Sequence, residues 1–179
     1  MKVYQCSLDK LARIMPMVLV ILALSIAIPI LYADITGSGP ANLFIAFSGP
    51  GIILVLCLAM YRLKIRSITV DDQSITIDRK VKPVTIRFSD ITAIRKVDDM
   101  KFAIRTFGNG GLFGYTGLFY KKGTGSMTWY CTQRTNYVLI QKTNGNKIVI
   151  TPDNSDGFVR DIALAHPFLV AIPGEQQHA

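Results

Sequence analysis

The hydrophobic rhythm of the chain changes twice. Two long runs without a charged side chain come first, Ile14 to Ala33 (IMPMVLVILALSIAIPILYA) and Ala41 to Tyr61 (ANLFIAFSGPGIILVLCLAMY). Each is about 20 residues, the length an α-helix needs to cross roughly 30 Å of hydrocarbon. Pro16, Pro29 and Pro50 suit membrane helices, where neighbours satisfy the freed backbone groups, and Gly49-Pro50-Gly51 marks a kink. From Ile65 the period shortens to two. Ile68 and Val70 flank Thr69, Ile75 and Ile77 flank Thr76, and Val84, Ile86 and Phe88 alternate with Thr85 and Arg87, as half-buried strands do. Further runs at Ile91 to Val97, Gly125 to Thr132, Tyr137 to Gln141 and Lys147 to Thr151 bring the count to seven or eight, all compatible with antiparallel pairing. Asn144-Gly145 is a strong hairpin signal between the last two. The period then lengthens again. In PDNSDGFVRDIALAHP, the N-cap candidates Asp153, Asn154 and Ser155 precede an apolar face of Phe158, Val159, Ile162 and Ala165, and Pro167 ends a helix of about three turns.

These changes divide the chain into an N-terminal segment (1–13), a first span (14–33), an external turn (34–40), a second span (41–61), a mainly-β domain closed by one C-terminal helix (62–173) and a tail (174–179). Charge sets the orientation. Lys2, Lys10 and Arg13 precede the first span, and Arg62, Lys64 and Arg66 follow the second, whereas Asp34 to Pro40 has no Lys or Arg. The positive-inside rule then places both termini and the β domain in the cytoplasm. A cleaved signal peptide ending at Leu31-Tyr32-Ala33 would need a shorter apolar stretch. The formal net charge is +8, and residues 62–179 supply +7 of it, 17 Lys and Arg against 10 Asp and Glu. In a tethered domain this bias suits an anionic leaflet better than nucleic acid.

The remaining chemistry is sparse. Cys6, Cys57 and Cys131 form no CxxC pair or disulfide framework, and Cys131 alternates with Trp129 as a buried, inert thiol. His166 and His178 are too few for a histidine-based metal site. Asp98-Asp99 reads as a turn start, since neighbours on a strand point to opposite faces. No catalytic constellation, cofactor site or metal site emerges.

The stretch FGNGGLFGYTGLF, Phe107 to Phe119, carries five glycines interleaved with aromatics. As a nucleotide cradle, Gly108 to Gly117 would have to leave a strand and open a helix; the following residues favour strand instead. As architecture, it is a twisted hairpin in which glycines permit bulges while Phe107, Leu112, Phe113 and Phe119 fill core. As a contact surface, Phe113, Tyr115, Phe119 and Tyr120 beside Lys121-Lys122 would rest on lipid headgroups or a partner.

VDDMKFAIRTFGNGGLFGYTGLF (Val97 to Phe119), with TNYVLIQKTNGNKIVITPDNSDGFVRDI (Thr135 to Ile162), resembles the bacterial PH-like (pleckstrin-homology-like) family found beside paired membrane spans. The likeness covers most of Ile65 to His166. It implies a PH-type barrel or sandwich of about seven strands capped by the C-terminal helix, in a bacterial inner-membrane protein. Phosphoinositide-binding members of the wider superfamily carry basic residues in and beside the first hairpin loop. Here that loop is Asp71-Asp72-Gln73-Ser74, which repels phosphate, so that site is not carried over.

The combined expectation is a non-catalytic binding or assembly module, with Arg105, Phe113, Tyr115, Tyr120, Lys121 and Lys122 as candidate contacts for anionic headgroups or a protein partner. Two other classes stay open: an enzyme using the glycine loop, and a homo-oligomer in which Gly37, Gly39, Gly49 and Gly51 let the spans pack closely.

Overall fold

The structure, a computed structural model, describes residues 1–37, 43–100 and 102–170. Ser38 to Asn42 of the turn and second span, and the tail 174–179, lie outside the described residues. The chain opens with a short strand, β1 (Lys2–Gln5), before the apolar helices α1 (Lys10–Ile35) and α2 (Leu43–Arg62). Nine strands follow: β2 (Ile65–Val70), β3 (Ser74–Arg79), β4 (Val84–Arg87), β5 (Ile91–Val97), β6 (Ile104–Gly110), β7 (Tyr115–Lys121), β8 (Gly125–Cys131), β9 (Tyr137–Lys142) and β10 (Lys147–Ile150). The last helix, α3 (Ser155–Ala165), is capped by Asn154, whose side chain accepts from the Gly157 N–H at 2.9 Å.

Helix α1 runs for 26 residues, about 39 Å at 1.5 Å per residue. Among the described residues, Lys10–Ala33 is the one helix long and apolar enough to cross a membrane. Within α2, the apolar stretch Ser48–Arg62 is shorter than a full span. The expectation of two full spans is therefore met by one helix that qualifies on length and composition, and an apolar neighbour packed against it.

The strands form two sheets. One has the order β1-β2-β3-β4 and the other β5-β9-β10-β8-β7-β6. Among the described residues no ladder joins the two sheets, so the expected barrel is an open sandwich, and ten strands are seen in place of about seven. The added strands come from the N-terminal segment and from the glycine-rich stretch. The fully antiparallel expectation also fails at one place: β10 lies parallel to β8, pairing Val149 with Trp129. The expected hairpin at Asn144-Gly145 forms, with Gly145 at φ +79° and its N–H donating to the Lys142 carbonyl at 2.9 Å.

The six-stranded sheet is apolar on both faces. Val138, Ile140, Ile148 and Ile150 point to a core shared with Ile68, Ile75, Ile77 and, from α3, Phe158 and Ile162. The alternate residues Trp129, Cys131, Leu139 and Val149 join a second core with Tyr115, Phe119, Tyr137, Met100 and, from the start of α1, Ala12. Two covered faces explain why β9 reads VLI without alternation. Cys131 is fully buried, as its strand position suggested.

Strand β1 closes the first sheet from an unexpected direction. It pairs antiparallel with β2, Lys2 opposite Val70 and Gln5 opposite Ser67. Tyr4 sets its ring edge against Phe158 at 5.1 Å and donates its hydroxyl to Asp161. Lys2 reaches Asp161 at 2.9 Å, and Ser7 bonds the Asp153 carboxylate through its N–H at 2.8 Å and its hydroxyl at 2.6 Å. The chain thus leaves the sandwich for α1 and comes back from α2 into the neighbouring strand of the same sheet.

Candidate functional site at the foot of the helical pair

The glycine-rich stretch is a strand hairpin. β6 pairs with β7 in a register that sets Gly108 against Gly117 and Gly110 against Tyr115, with a bulge between Arg105 and Phe107. The segment after Gly114, where a nucleotide cradle would open a helix, is strand β7. That geometry removes the dinucleotide reading.

The tip of this hairpin meets the roots of both apolar helices. Gly111 donates its N–H to the Gly114 carbonyl at 3.0 Å, and Asn109 accepts from the Leu112 N–H at 3.0 Å. Phe113 sits at φ +57°, a left-handed conformation that costs a bulky residue of order 1–3 kcal/mol and persists only where its surroundings demand it. Its N–H donates to the Ala12 carbonyl of α1 at 3.3 Å. Its ring meets Tyr61 of α2 edge-on, centroids 5.4 Å apart. Lys80 places its ammonium 3.6 Å from the centre of the Tyr61 ring, a cation–π contact. A shallow cleft of ≈ 480 Å³ at this foot is lined by Arg13, Met17, Tyr61, Lys64 and Phe113. It combines two cations with apolar side chains and the polar Gln5 and Ser7.

Asp9 holds the root of α1. Its carboxylate caps the helix by accepting from the Ala12 N–H at 2.8 Å and also accepts the Tyr115 hydroxyl at 2.9 Å. Arg134 approaches the same carboxylate at 3.8 Å and lies 5.3 Å from the Tyr115 ring centre. Burial first, then the hydrogen bond to Asp9, push the Tyr115 hydroxyl from 10.0 up to about 12. A folded-state pKa above the unfolded one means that the neutral phenol contributes fully below pH 10, and that this contribution is lost as pH rises toward 12. Alkaline titration followed at 295 nm should therefore show the β domain loosening only above pH 10, and Tyr115→Phe should flatten the pH dependence in that window.

The six expected contact residues do not form one surface. Phe113 is at the foot. Tyr115 is 4 % exposed and belongs to the core, so it offers no rim contact. Arg105, exposed on β6, runs back along its own strand: a Cβ built on Gly110 would lie 2.4 Å from Arg105 Nη1. Lys121 and Lys122 stand at the opposite end of β7 from the tip, six residues beyond Tyr115, or about 20 Å at 3.4 Å per residue. Lys121 there donates to the Asp99 carbonyl at 2.6 Å. Tyr120 shares that end and is half-exposed. Of the residues expected to fill core, Phe119 is 6 % exposed, but Phe107 is 74 % exposed because the bulge turns it to the outer face. Lys80, Arg134 and Asp9 were missed, because nothing local marks a side chain that reaches a distant helix root.

Asp71 orders the first hairpin loop. Asp71 accepts from the Gln73 and Ser74 N–H groups at 2.9 and 2.7 Å, and these bonds with the Ser74 hydroxyl hold its carboxyl below the usual range. The cleft beside it collects Asp71, Asp72 and Asp161 around Lys2, a poor setting for phosphate.

A two-sheet β sandwich with a C-terminal helix, mounted on a pair of apolar helices, is the class these elements define. The chain belongs to the bacterial PH domain family, whose model matches residues 66–164. The match runs from β2 into α3 and leaves out β1 and both apolar helices. No curated protein and no solved structure matches the chain significantly.

Proposed function

We propose that this protein is a non-catalytic binding and assembly module anchored in a bacterial cell membrane by a two-helix hairpin, with its PH domain held on the cytoplasmic leaflet. One observation carries the reading: β1 and β2 are antiparallel neighbours on either side of the helical pair. If α1 crosses the bilayer, α2 must bring the chain back, because both helices are rooted in one sheet. The basic residues Lys10, Arg13, Arg62, Lys64 and Arg66 gather at that rooted end, as the positive-inside rule requires of a cytoplasmic face. The foot cleft then lies at headgroup level, where Arg13 and Lys64 face anionic lipid within a Debye length of about 8 Å. Lys121 and Lys122, about 20 Å along β7 from the hairpin tip, are left for a protein partner.

Topology tests this directly. Thr36→Cys in the interhelical turn should react with a membrane-impermeant maleimide on intact cells, while the native cysteines Cys6, Cys57 and Cys131, all buried, remain unlabelled. Labelling only after cell rupture, or release of the protein by an alkaline carbonate wash, would overturn the hairpin.

A second reading, self-association through the helices, has one supporting observation. Among the described residues, a Cβ built on Gly49 or Gly51 meets nothing within 4 Å, which leaves that face open for a second copy. Membrane crosslinking that traps a dimer, lost on replacing both with Leu, is the result expected of that reading.

A further inference from the structure

A third cleft, of ≈ 730 Å³, lies between Asp98 to Met100 with Phe102 and Ala103 on one side and strands β6 to β9 on the other. We propose that it binds an anionic amphiphile, with the acid group between Arg105 and Arg134 and the apolar body along Tyr115, Phe119 and Trp129. The proposal reaches beyond anchoring and does not require the helices to insert.

The floor of the cleft is aromatic and rigid. Trp129 stacks on Phe119 with centroids 4.1 Å apart and planes 11° from parallel, and Tyr137 leans on the same indole at 5.4 Å. The indole N–H of Trp129 is buried with no acceptor among the described residues. Both arginines lie at one end. Arg134 rests 5.3 Å from the Tyr115 ring centre, and Arg105 folds back to Gly110, the cross-strand partner of Tyr115. Arg105 has no ion pair among the described residues, and Arg134 only a long one, 3.8 Å to Asp9. Arg134 beside the Tyr115 ring and Arg105 beside Gly110 both line the cleft, and guanidinium forks suit a phosphate or carboxylate. Asp98 and Asp99 line the cleft near Lys121, whose ammonium lies 4.0 Å from the Asp99 carboxylate. An apolar floor with a few convergent polar groups at one end describes a site for a small amphiphile, and the charged end is the one nearest the helix roots.

The test uses the only tryptophan in the chain, Trp129, as its reporter. The full-length protein in phosphatidylcholine nanodiscs is titrated with dodecyl phosphate while tryptophan fluorescence is followed. A saturable change is expected with dodecyl phosphate and none with dodecanol. Arg105→Gln, which breaks no ion pair among the described residues, and Arg134→Gln should each weaken the response at least tenfold, with unchanged circular dichroism. Lys121→Gln should leave it as in the native chain. A non-saturable response, an equal response to dodecanol, or unchanged affinity in Arg105→Gln would overturn the site. Displacement by inorganic phosphate as potent as that by dodecyl phosphate would overturn the amphiphile in favour of a free-anion site. Because the readout is occupancy of the cleft, its failure is separable from failure of the hairpin topology.

Discussion

A fragment beginning at Ile65, the start of the alternating pattern, should melt at least about 10 °C below one in which residues 1–12 are joined to residue 65 by a short Gly/Ser linker. The fragment keeps everything the family match covers, yet it lacks β1. Without β1 the buried strand β2 becomes an open edge, with its N–H and C=O groups unpaired from Ser67 to Val70. Tyr4 and Cys6 leave the core, in which Cys6 is only 8 % exposed. Ser7 releases Asp153, and Asp161 loses both Tyr4 and Lys2. Losing the partly buried Tyr4 ring, the buried Cys6 and these hydrogen bonds together costs roughly 3 kcal/mol, and each kcal/mol moves the midpoint of a domain this size by about 4 °C or more. The open edge adds a tendency to associate. The linker is feasible because β1 and β2 lie side by side. Thermal melts by circular dichroism decide the matter, and equal midpoints for the two fragments would show that β1 is dispensable.

Gly117→Ala should destabilise the domain by about 3 kcal/mol or more, the range in which backbone clashes stand out from ordinary substitutions. Gly117 and Gly108 face each other across β6 and β7, at φ +135° and +111°. A Cβ on Gly117 would lie 2.2 Å from the Phe107 carbonyl oxygen and 2.8 Å from Gly108 Cα. On Gly108 it would lie 2.4 Å from the Thr116 carbonyl oxygen and 2.7 Å from Gly117 Cα. In both cases the obstacle is backbone, so relief requires the strands to part. Gly123→Ala provides the comparison: its φ is +89° but nothing among the described residues lies within 4 Å, so only conformational strain of about 1 kcal/mol is expected. The double variant Gly108→Ala/Gly117→Ala should cost less than the sum of the singles, since one separation serves both. Hydrogen exchange should report the loss as faster exchange confined first to β6 and β7. A Gly117→Ala protein within about 0.5 kcal/mol of the native chain would contradict the close approach.

These glycines show where local reading stops. Their number and their β-prone neighbours were enough to expect a bulged hairpin and to disfavour a cradle. Which of them oppose each other depends on register, and a bulge between Arg105 and Phe107 shifts that register by one residue. The same shift turns Phe107 outward while Phe119 stays in the core. Of the residues expected at the contact surface, Phe113 packs against the chain's own helix roots. Tyr115 and Lys121 were grouped with it because they are close in sequence. In an extended strand, however, six residues span about 20 Å, and neighbouring side chains face opposite sides.

By itself the sequence determined what depends on period and composition. The absence of charge over Ile14 to Ala33 demands an apolar setting for α1. Period-two alternation from Ile68 to Phe88 makes strands, Asn144-Gly145 makes the hairpin turn, and Asn154 ahead of Phe158 and Ile162 starts the helix that covers the core. Each of these is settled by neighbours a few residues apart. The tertiary structure alone decided that Lys2 to Gln5 completes a sheet whose next strand lies beyond two helices, and that β10 runs parallel to β8. It also brought Asp9, Tyr115 and Arg134 together at the root of α1 and left Lys121 at the far end of the sheet. Those arrangements join residues up to 157 positions apart, as in the Tyr4–Asp161 bond. They are chosen by which burial satisfies both faces of the six-stranded sheet at once, a condition on the whole fold that no short stretch of sequence carries.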